Sequence, residues 1–281
     1  MGTRVNLIFY AEGDKAANQA AEAAFDRINA IEQSISDWLI DSEVARLRSL
    51  PRGESAALSE DLNHILALSV DISNDSEGAF DVTCGALTQA WRKARHIGQM
   101  PSSDELAALA STAGWERLAR SEVNGVHRVS IDQDGLWLDF GGIGKGYAAD
   151  QALDVLESRG ITSALVELGG DMAIGVPPPG QVGWIVDGGS KEGPLVVSKC
   201  GVATSGSTDQ FLEIDGRRWS HLLDPRTGQA VPDRGSFTVT ARNASLADGW
   251  ASVAAIVGVE VAGRMVGTEE QVEFRVTANP R

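Results

Sequence analysis

Cysteine is nearly absent: Cys84 and Cys200 are the two in 281 residues. Two thiols cannot build a disulfide scaffold or a four-cysteine zinc centre, and the sequence leaves open whether they pair. Basic charge is also short, with 24 Lys+Arg against 39 Asp+Glu and a formal net charge of -15. A sequence-independent nucleic-acid binder needs clustered cations to displace counterions, and attachment to an anionic membrane needs them too, so the acidic balance argues against both classes. No stretch approaches the roughly 18 uninterrupted apolar residues of a membrane span. No export signal is visible either, because Met1-Gly2-Thr3 leads at once into the strand-like Val5–Tyr10. Low-complexity tracts and repeats with a period of roughly 20–50 residues are missing.

What remains is an ordinary globular composition, 43% hydrophobic. The length can bury a large core as one domain or two intimate halves. The first hundred or so residues read as helical. Asp14 to Ser34 carries Ala21, Ala24, Phe25, Ile28 and Ile31 at three- and four-residue steps, one apolar stripe. Ser59-Glu60-Asp61 opens a second helix through Ile72, and Ser102 with Glu105 has capping-box spacing for a third that stops at Gly114. From about Val129 the character changes. Asp134-Gly135 reads as a hairpin turn between Val129–Ile131 and Leu136–Phe140. A glycine-rich turn, Gly141 to Gly146, enters a helix over Tyr147 to Ser158 closed by Gly160. Strands follow at Ile161–Leu168, Trp184–Val186, Leu195–Val197, Phe211–Ile214 with Arg217–His221, Phe237–Thr240 and Val272–Val276, around a helix from Ala247 to Val257. Helices with mostly antiparallel strands in one continuous domain over residues 1–281 make the expected class α+β.

Four places could carry chemistry. The turn from Asp139 to Gly146 presents glycine amides at a helix start, with Lys145 as a point charge; it is read either as an anion site or as a tight turn needing positive φ. It lacks the spacing of a P-loop and of a dinucleotide fingerprint. Asp248 and Ser252 stand at i and i+4, so a carboxylate and a hydroxyl share one helix face. Two hard oxygens leaving room for substrate suit Mg²⁺; the plainer reading is an acid in a helix's first turn beside a small packing residue. His221, before the rigid Asp224-Pro225 turn, could act as a base near neutral pH, or be structural. Ser205 and Ser207 lie nearby without a Gly-x-Ser-x-Gly elbow. The Gly78-Ala79-Phe80-Asp81 loop sets an aromatic beside an acid; a planar ligand, or a core phenylalanine with a capping aspartate, explains it equally.

The order of these features resembles the ApbE family, the FAD:protein FMN transferases, over nearly the whole chain. The resemblance is carried by Met1-Gly2-Thr3, Ser36-Asp37-Trp38 with Asp41-Ser42-Glu43, Gly78 to Asp81, and Asp139 to Tyr147. It continues through Leu168 to Asp171, Ala203 to Gly206, His221 to Gly228, and Ala247 to Ser252. It implies an ApbE-like fold with T-fold-like halves. It also implies a Mg²⁺-dependent enzyme that splits FAD, moves the FMN half onto a Ser or Thr hydroxyl of an acceptor flavoprotein, and releases AMP. By the resemblance, Met1, Trp38, Ala79, Phe80, Asp81, Asp139, Lys145 and Leu222 would contact FAD. The Gly142 carbonyl oxygen, Asp248 and Ser252 would hold the metal, and His221 would be the base. Family members usually act on the outer side of the cytoplasmic membrane, on flavoproteins of electron-transport complexes, so the resemblance implies a periplasmic or outer-face location. A Mg²⁺-dependent FAD pyrophosphatase and a non-catalytic FAD-binding protein are the two rivals, and nothing in the sequence asks for more than a monomer. Three positions depart from the family: Trp38 stands where Tyr is usual, Ser252 where Thr is, and Ser207 where Asp is.

Overall fold

The computed structural model describes residues 2–188, 193–206, 211–214, 217–232, 235–267 and 271–278; side chains at 211–214, 217–221, 232, 277 and 278 are outside the description. Met1 and Ser207 therefore lie outside the described residues, as does the side chain of His221. In chain order the elements begin with β1 (Val5–Phe9), α1 (Asp14–Ile35), α2 (Glu43–Leu47), β2 (Ser55–Ala57), α3 (Glu60–Asp75), α4 (Gly85–Ile97) and α5 (Ser103–Ala110). Next come β3 (Leu118–Val123), β4 (Val126–Ile131), α6 (Gly144–Ser158), β5 (Ala164–Leu168), β6 (Asp171–Ile174), β7 (Trp184–Val186) and β8 (Leu195–Val197). The rest is β9 (Cys200–Gly206), β10 (Phe211–Ile214), β11 (Arg217–Asp224), β12 (Gln229–Pro232), β13 (Ser236–Ala241), α7 (Ala244–Val257), α8 (Val259–Met265) and β14 (Glu273–Ala278).

The chain forms two compact units, each assembled from separate stretches of sequence. The first comprises Met1–Ile31, Gly141–Gly206 and Gly235–Arg281. Its centre is an antiparallel sheet in the order β1-β5-β6-β9-β13-β14. Helices α6 and α7 pack on this sheet and on each other. Helix α7 is enclosed on every side: its residues from Ala244 to Ile256 are all buried, the polar Ser245, Asp248 and Ser252 among them. The hairpin of β7 and β8 covers one end of the sheet, setting Trp184, Val186 and Leu195 against Leu165, Ile174 and Val202.

The second unit comprises Glu32–Phe140 and Ser207–Arg234. It holds two three-stranded antiparallel sheets, β2-β4-β3 and β10-β11-β12. Leu87, Trp91 and Ala94 of α4 pack with Leu106, Leu223 and Ala230, and the Trp91 indole donates to the Gly228 carbonyl at 3.0 Å. Ser59 and Ser102 cap α3 and α5 as their spacing predicts, accepting from Leu62 and Glu105 N–H groups.

The expected hairpin around Asp134-Gly135 does not form. Strand β4 pairs instead with β3 across Asn124-Gly125, both at positive φ (52° and 77°), the pair that a two-residue hairpin turn demands. The segment after Gly135 is not a strand. Its backbone is satisfied piecemeal, by Leu50 and Leu47 carbonyls for Gly135 and Leu136, and by Val82 for Asp139.

Candidate functional site

The predicted site residues fall into two groups, one in each unit. In the first unit the chain turns from Gly141 into α6 at Gly144, three residues earlier than the sequence indicates. A turn over residues 141–143 does lead into α6, but Gly141, Gly142, Gly144 and Gly146 all avoid positive φ, so the backbone freedom expected of these glycines is not what the turn uses. Close packing explains Gly146: a Cβ there would stand 2.9 Å from the Asp248 Cβ and collide with the Ala244 carbonyl. That absence of a side chain lets α6 and α7 approach with their residues in step. The Gly146 N–H donates to Asp248 Oδ2 at 3.0 Å. One turn further along α7, Ser252 Oγ donates at 3.2 Å to the carbonyl of Gly142, just before the start of α6.

Helix α7 begins at Ala244 with Asn243 as its N-cap, so Asp248 is not an acid of the first turn. That role belongs to Asp150 of α6, whose carboxylate accepts from the Ala244 and Ser245 N–H groups, both at 2.8 Å. Asp248 is thereby free to face Gly146 and Lys145. The ammonium of Lys145 bonds Asp171 closely and lies 3.4 Å from each oxygen of Asp248. Asp171 is held in turn by the Thr204 N–H at 3.3 Å.

Electrostatics follow from this burial. Burial, then the charge of Asp248, push the Asp171 carboxyl up to about 7 against the pull of Lys145. Burial alone would lower Lys145, yet the Asp248 and Asp171 carboxylates outweigh it and hold the ammonium charged, above the ordinary lysine value. A phosphate reaching Lys145 would thus share it with two carboxylates, and the amide of Gly146 is already taken. The turn is not an open cradle of amides.

Two of the oxygens here, those of Gly142 and Ser252, are spaced as neighbouring ligands of a hard divalent cation would be. Two oxygens bound to one Mg²⁺ in neighbouring octahedral positions lie about 3 Å apart. Ser252 Oγ and the Gly142 carbonyl oxygen are separated by 3.2 Å, with the Asp248 carboxylate one turn along α7. Among the described residues no group of three His, Cys, Asp or Glu side chains could hold a metal, so a cation here would depend on the carbonyl and the hydroxyl beside Asp248.

The second unit carries the other group. Trp38 exposes 69% of its surface, and the Arg92 guanidinium lies over its ring at 4.3 Å from the centroid. Arg92 also bonds Asp37 closely and Asp139 at 3.1 Å. Burial, then the charge of Asp139, raise the Asp37 carboxyl above its usual range, and Arg92 opposes them. Ala79 and Phe80 are buried. Asp81 accepts from the Thr83 N–H and hydroxyl at 2.8 and 2.7 Å, and burial raises its carboxyl despite those bonds. The core-phenylalanine and capping-aspartate reading therefore describes this loop's side chains. Leu222 is half-buried on β11, beside His221. Cys84 and Cys200 are both free thiols.

Sequence reasoning missed Arg92 and gave Asp171 no role. Arg92 sits 54 positions from Trp38, and no local spacing links them. Asp171 had a signal: it follows Gly169-Gly170, both at positive φ, the turn that aims it inward at the start of β6.

The ApbE family pattern matches residues 1–276. A protein of Klebsiella pneumoniae (strain 342) named FAD:protein FMN transferase is 30% identical over 279 residues, 95% of this chain and 79% of its own. One of the same name from Treponema pallidum (strain Nichols) is 29% identical over 280 residues, 92% of this chain and 77% of its own. Among solved structures, a mutant of the flavin transferase ApbE from Vibrio cholerae gives a TM-score of 0.84 at 26% identity, covering 98% of this chain and 90% of that one. The ApbE protein of Thermotoga maritima gives 0.82 at 27% identity, covering 96% and 90%.

Proposed function

This chain belongs to the ApbE family and is an enzyme of flavin transfer, and we propose that it moves the FMN half of FAD onto a Ser or Thr hydroxyl of an acceptor protein with release of AMP. The hydroxyl oxygen forms a bond to the FMN phosphorus. The bridging P–O bond breaks, AMP leaves with its oxygen, and His221 takes the hydroxyl proton. One observation carries the reading: the pairing of Ser252 with the Gly142 carbonyl and of Asp248 with the Gly146 amide, one helical turn apart, beside a charged lysine.

Phosphoryl transfer asks little covalent chemistry of a protein and much of charge and placement. Gly142, Asp248 and Ser252 would hold Mg²⁺, which when bound supplies charge neutralisation at the pyrophosphate. Lys145, kept charged by its two carboxylates, adds a fixed positive charge on the same side. Trp38 offers an exposed aromatic face for a planar ring, with Asp139 nearby through their shared Arg92. Met1, Ala79, Phe80, Asp81 and Leu222 complete the proposed FAD contacts; for Ala79 and Phe80, buried as they are, the backbone is the group available. Electron-transport flavoproteins on the outer face of a membrane are the acceptor class. Among the described residues no helix is long and apolar enough to cross a membrane.

Incubation with FAD, Mg²⁺ and a candidate acceptor, followed by intact mass measurement, tests this. An acceptor that gains one FMN supports transfer. Free FMN with AMP and an unmodified acceptor would make the chain a pyrophosphatase, and unchanged FAD would make it a storage protein.

A further inference from the structure

Trp38 is more exposed than a tryptophan of this size normally is in a folded chain, and its ring is nevertheless fixed in place. The Arg92 guanidinium, on α4, covers one face at 4.3 Å. Arg92 itself cannot swing away, because Asp37 takes one terminal nitrogen and Asp139 takes the other at 3.1 Å. Asp37 is tied down further, its carboxylate accepting from Gln89 at 3.3 Å and its carbonyl from Arg48 at 2.5 Å. The planar fork of arginine suits this double pairing, and the same plane can stack on an indole.

We propose that Arg92 is a positioning residue for FAD, holding the Trp38 ring and the Asp139 carboxylate in binding geometry. The proposal rests on the reading that FAD lies against Trp38 and Asp139, and it adds a residue to which neither composition nor motif assigns a role. With one face of the indole closed by the guanidinium, the other is left for a flat ligand. A cation behind the ring also fits the departure at this position, since tryptophan is the aromatic that best receives a cation on its face. The phenolic hydroxyl usual in the family is absent from Trp38. Rigid presentation of the ring would take over part of its role by sparing the ligand the cost of ordering it. The ligand class is a dinucleotide with a planar ring, and the affected property is its affinity rather than the phosphoryl chemistry.

The test uses the full chain with FAD and no acceptor, followed by quenching of flavin fluorescence, in wild type, Arg92→Met, Arg92→Lys, Trp38→Leu and the Arg92→Met/Trp38→Leu double variant. Arg92→Met is expected to weaken FAD binding on the order of tenfold. Arg92→Lys should recover part of that loss, since an ammonium keeps the charge but not the planar stack. With acceptor present, the KM for FAD should rise far more than kcat falls. Because part of the effect of Arg92 runs through the Trp38 ring, the double variant should lose less affinity than the two single losses added together. Wild-type affinity in Arg92→Met, or a double variant whose losses simply add, overturns the proposal. If Trp38→Leu itself binds FAD normally, the placement of FAD at Trp38 falls, and this proposal falls with it. Thermal melts of each variant separate a binding loss from unfolding.

Discussion

Asp248 Oδ2 accepts the Gly146 N–H at 3.0 Å, so a carboxylate from α7 closes the first turn of α6. Ile143, the N-cap of α6, offers no side-chain acceptor of its own. An acid facing a helix N-terminus is favoured by the dipole, and here that acid also faces Lys145. The same group thus serves packing and proposed chemistry, and substitutions should expose both roles.

Asp248→Ala should abolish Mg²⁺-dependent turnover while leaving much of the FAD affinity, because the contacts proposed around Trp38 remain. It should also cost about 1–2 kcal/mol of stability through the orphaned Gly146 amide. Turnover against Mg²⁺ and a denaturant melt measure the two effects. Wild-type turnover in this variant would put the metal elsewhere.

His221→Ala should slow transfer by about 10²–10⁴-fold, the usual contribution of a general base, with a much smaller change in FAD affinity. Single-turnover rates at saturating FAD decide the matter. An unaltered rate removes His221 from the base role.

Gly146→Ala introduces one methyl group at the crossing of α6 and α7, where the Ala244 carbonyl leaves no room. Overpacking of this kind costs about 1–3 kcal/mol, and it should also spread the Asp248–Gly146 and Ser252–Gly142 pairs. A loss of both stability and Mg²⁺ response is expected. An unperturbed melt would contradict the close helix approach.

Stability should depend on pH through Asp150. Burial raises its carboxyl from 3.8 to about 6, above its value in the unfolded chain. Between about pH 4 and 6 the unfolded chain releases this proton before the folded one does, so folding loses stability as pH rises, by no more than about 3 kcal/mol. Melts of wild type and Asp150→Asn across that interval should move in favour of the variant as pH rises, and level off above it. A flat difference would show that Asp150 titrates normally.

Local chemistry made several elements legible. Ser59 and Ser102 announced their helices because a cap needs only neighbours within one turn. The same kind of signal was misread at Asp134-Gly135. A Gly at positive φ does occur there, but its amide bonds Leu50 rather than a partner strand, and the true hairpin signal was Asn124-Gly125. Spacing placed Asp248 and Ser252 on one face correctly, yet assigned Asp248 to a helix start that Asp150 serves. Only the packing of a second helix could reveal that exchange.

The amino-acid order alone determined which oxygens and cations were candidates, since side-chain chemistry and i, i+4 spacing are properties of the chain itself. Tertiary structure decided what each one faces. Lys145 finds two carboxylates 26 and 103 positions away, and Arg92 finds Trp38 and Asp139 from a helix between them. Contacts at such separations come from the packing of sheets and helices and leave no periodic trace, so they become visible only once the chain has folded.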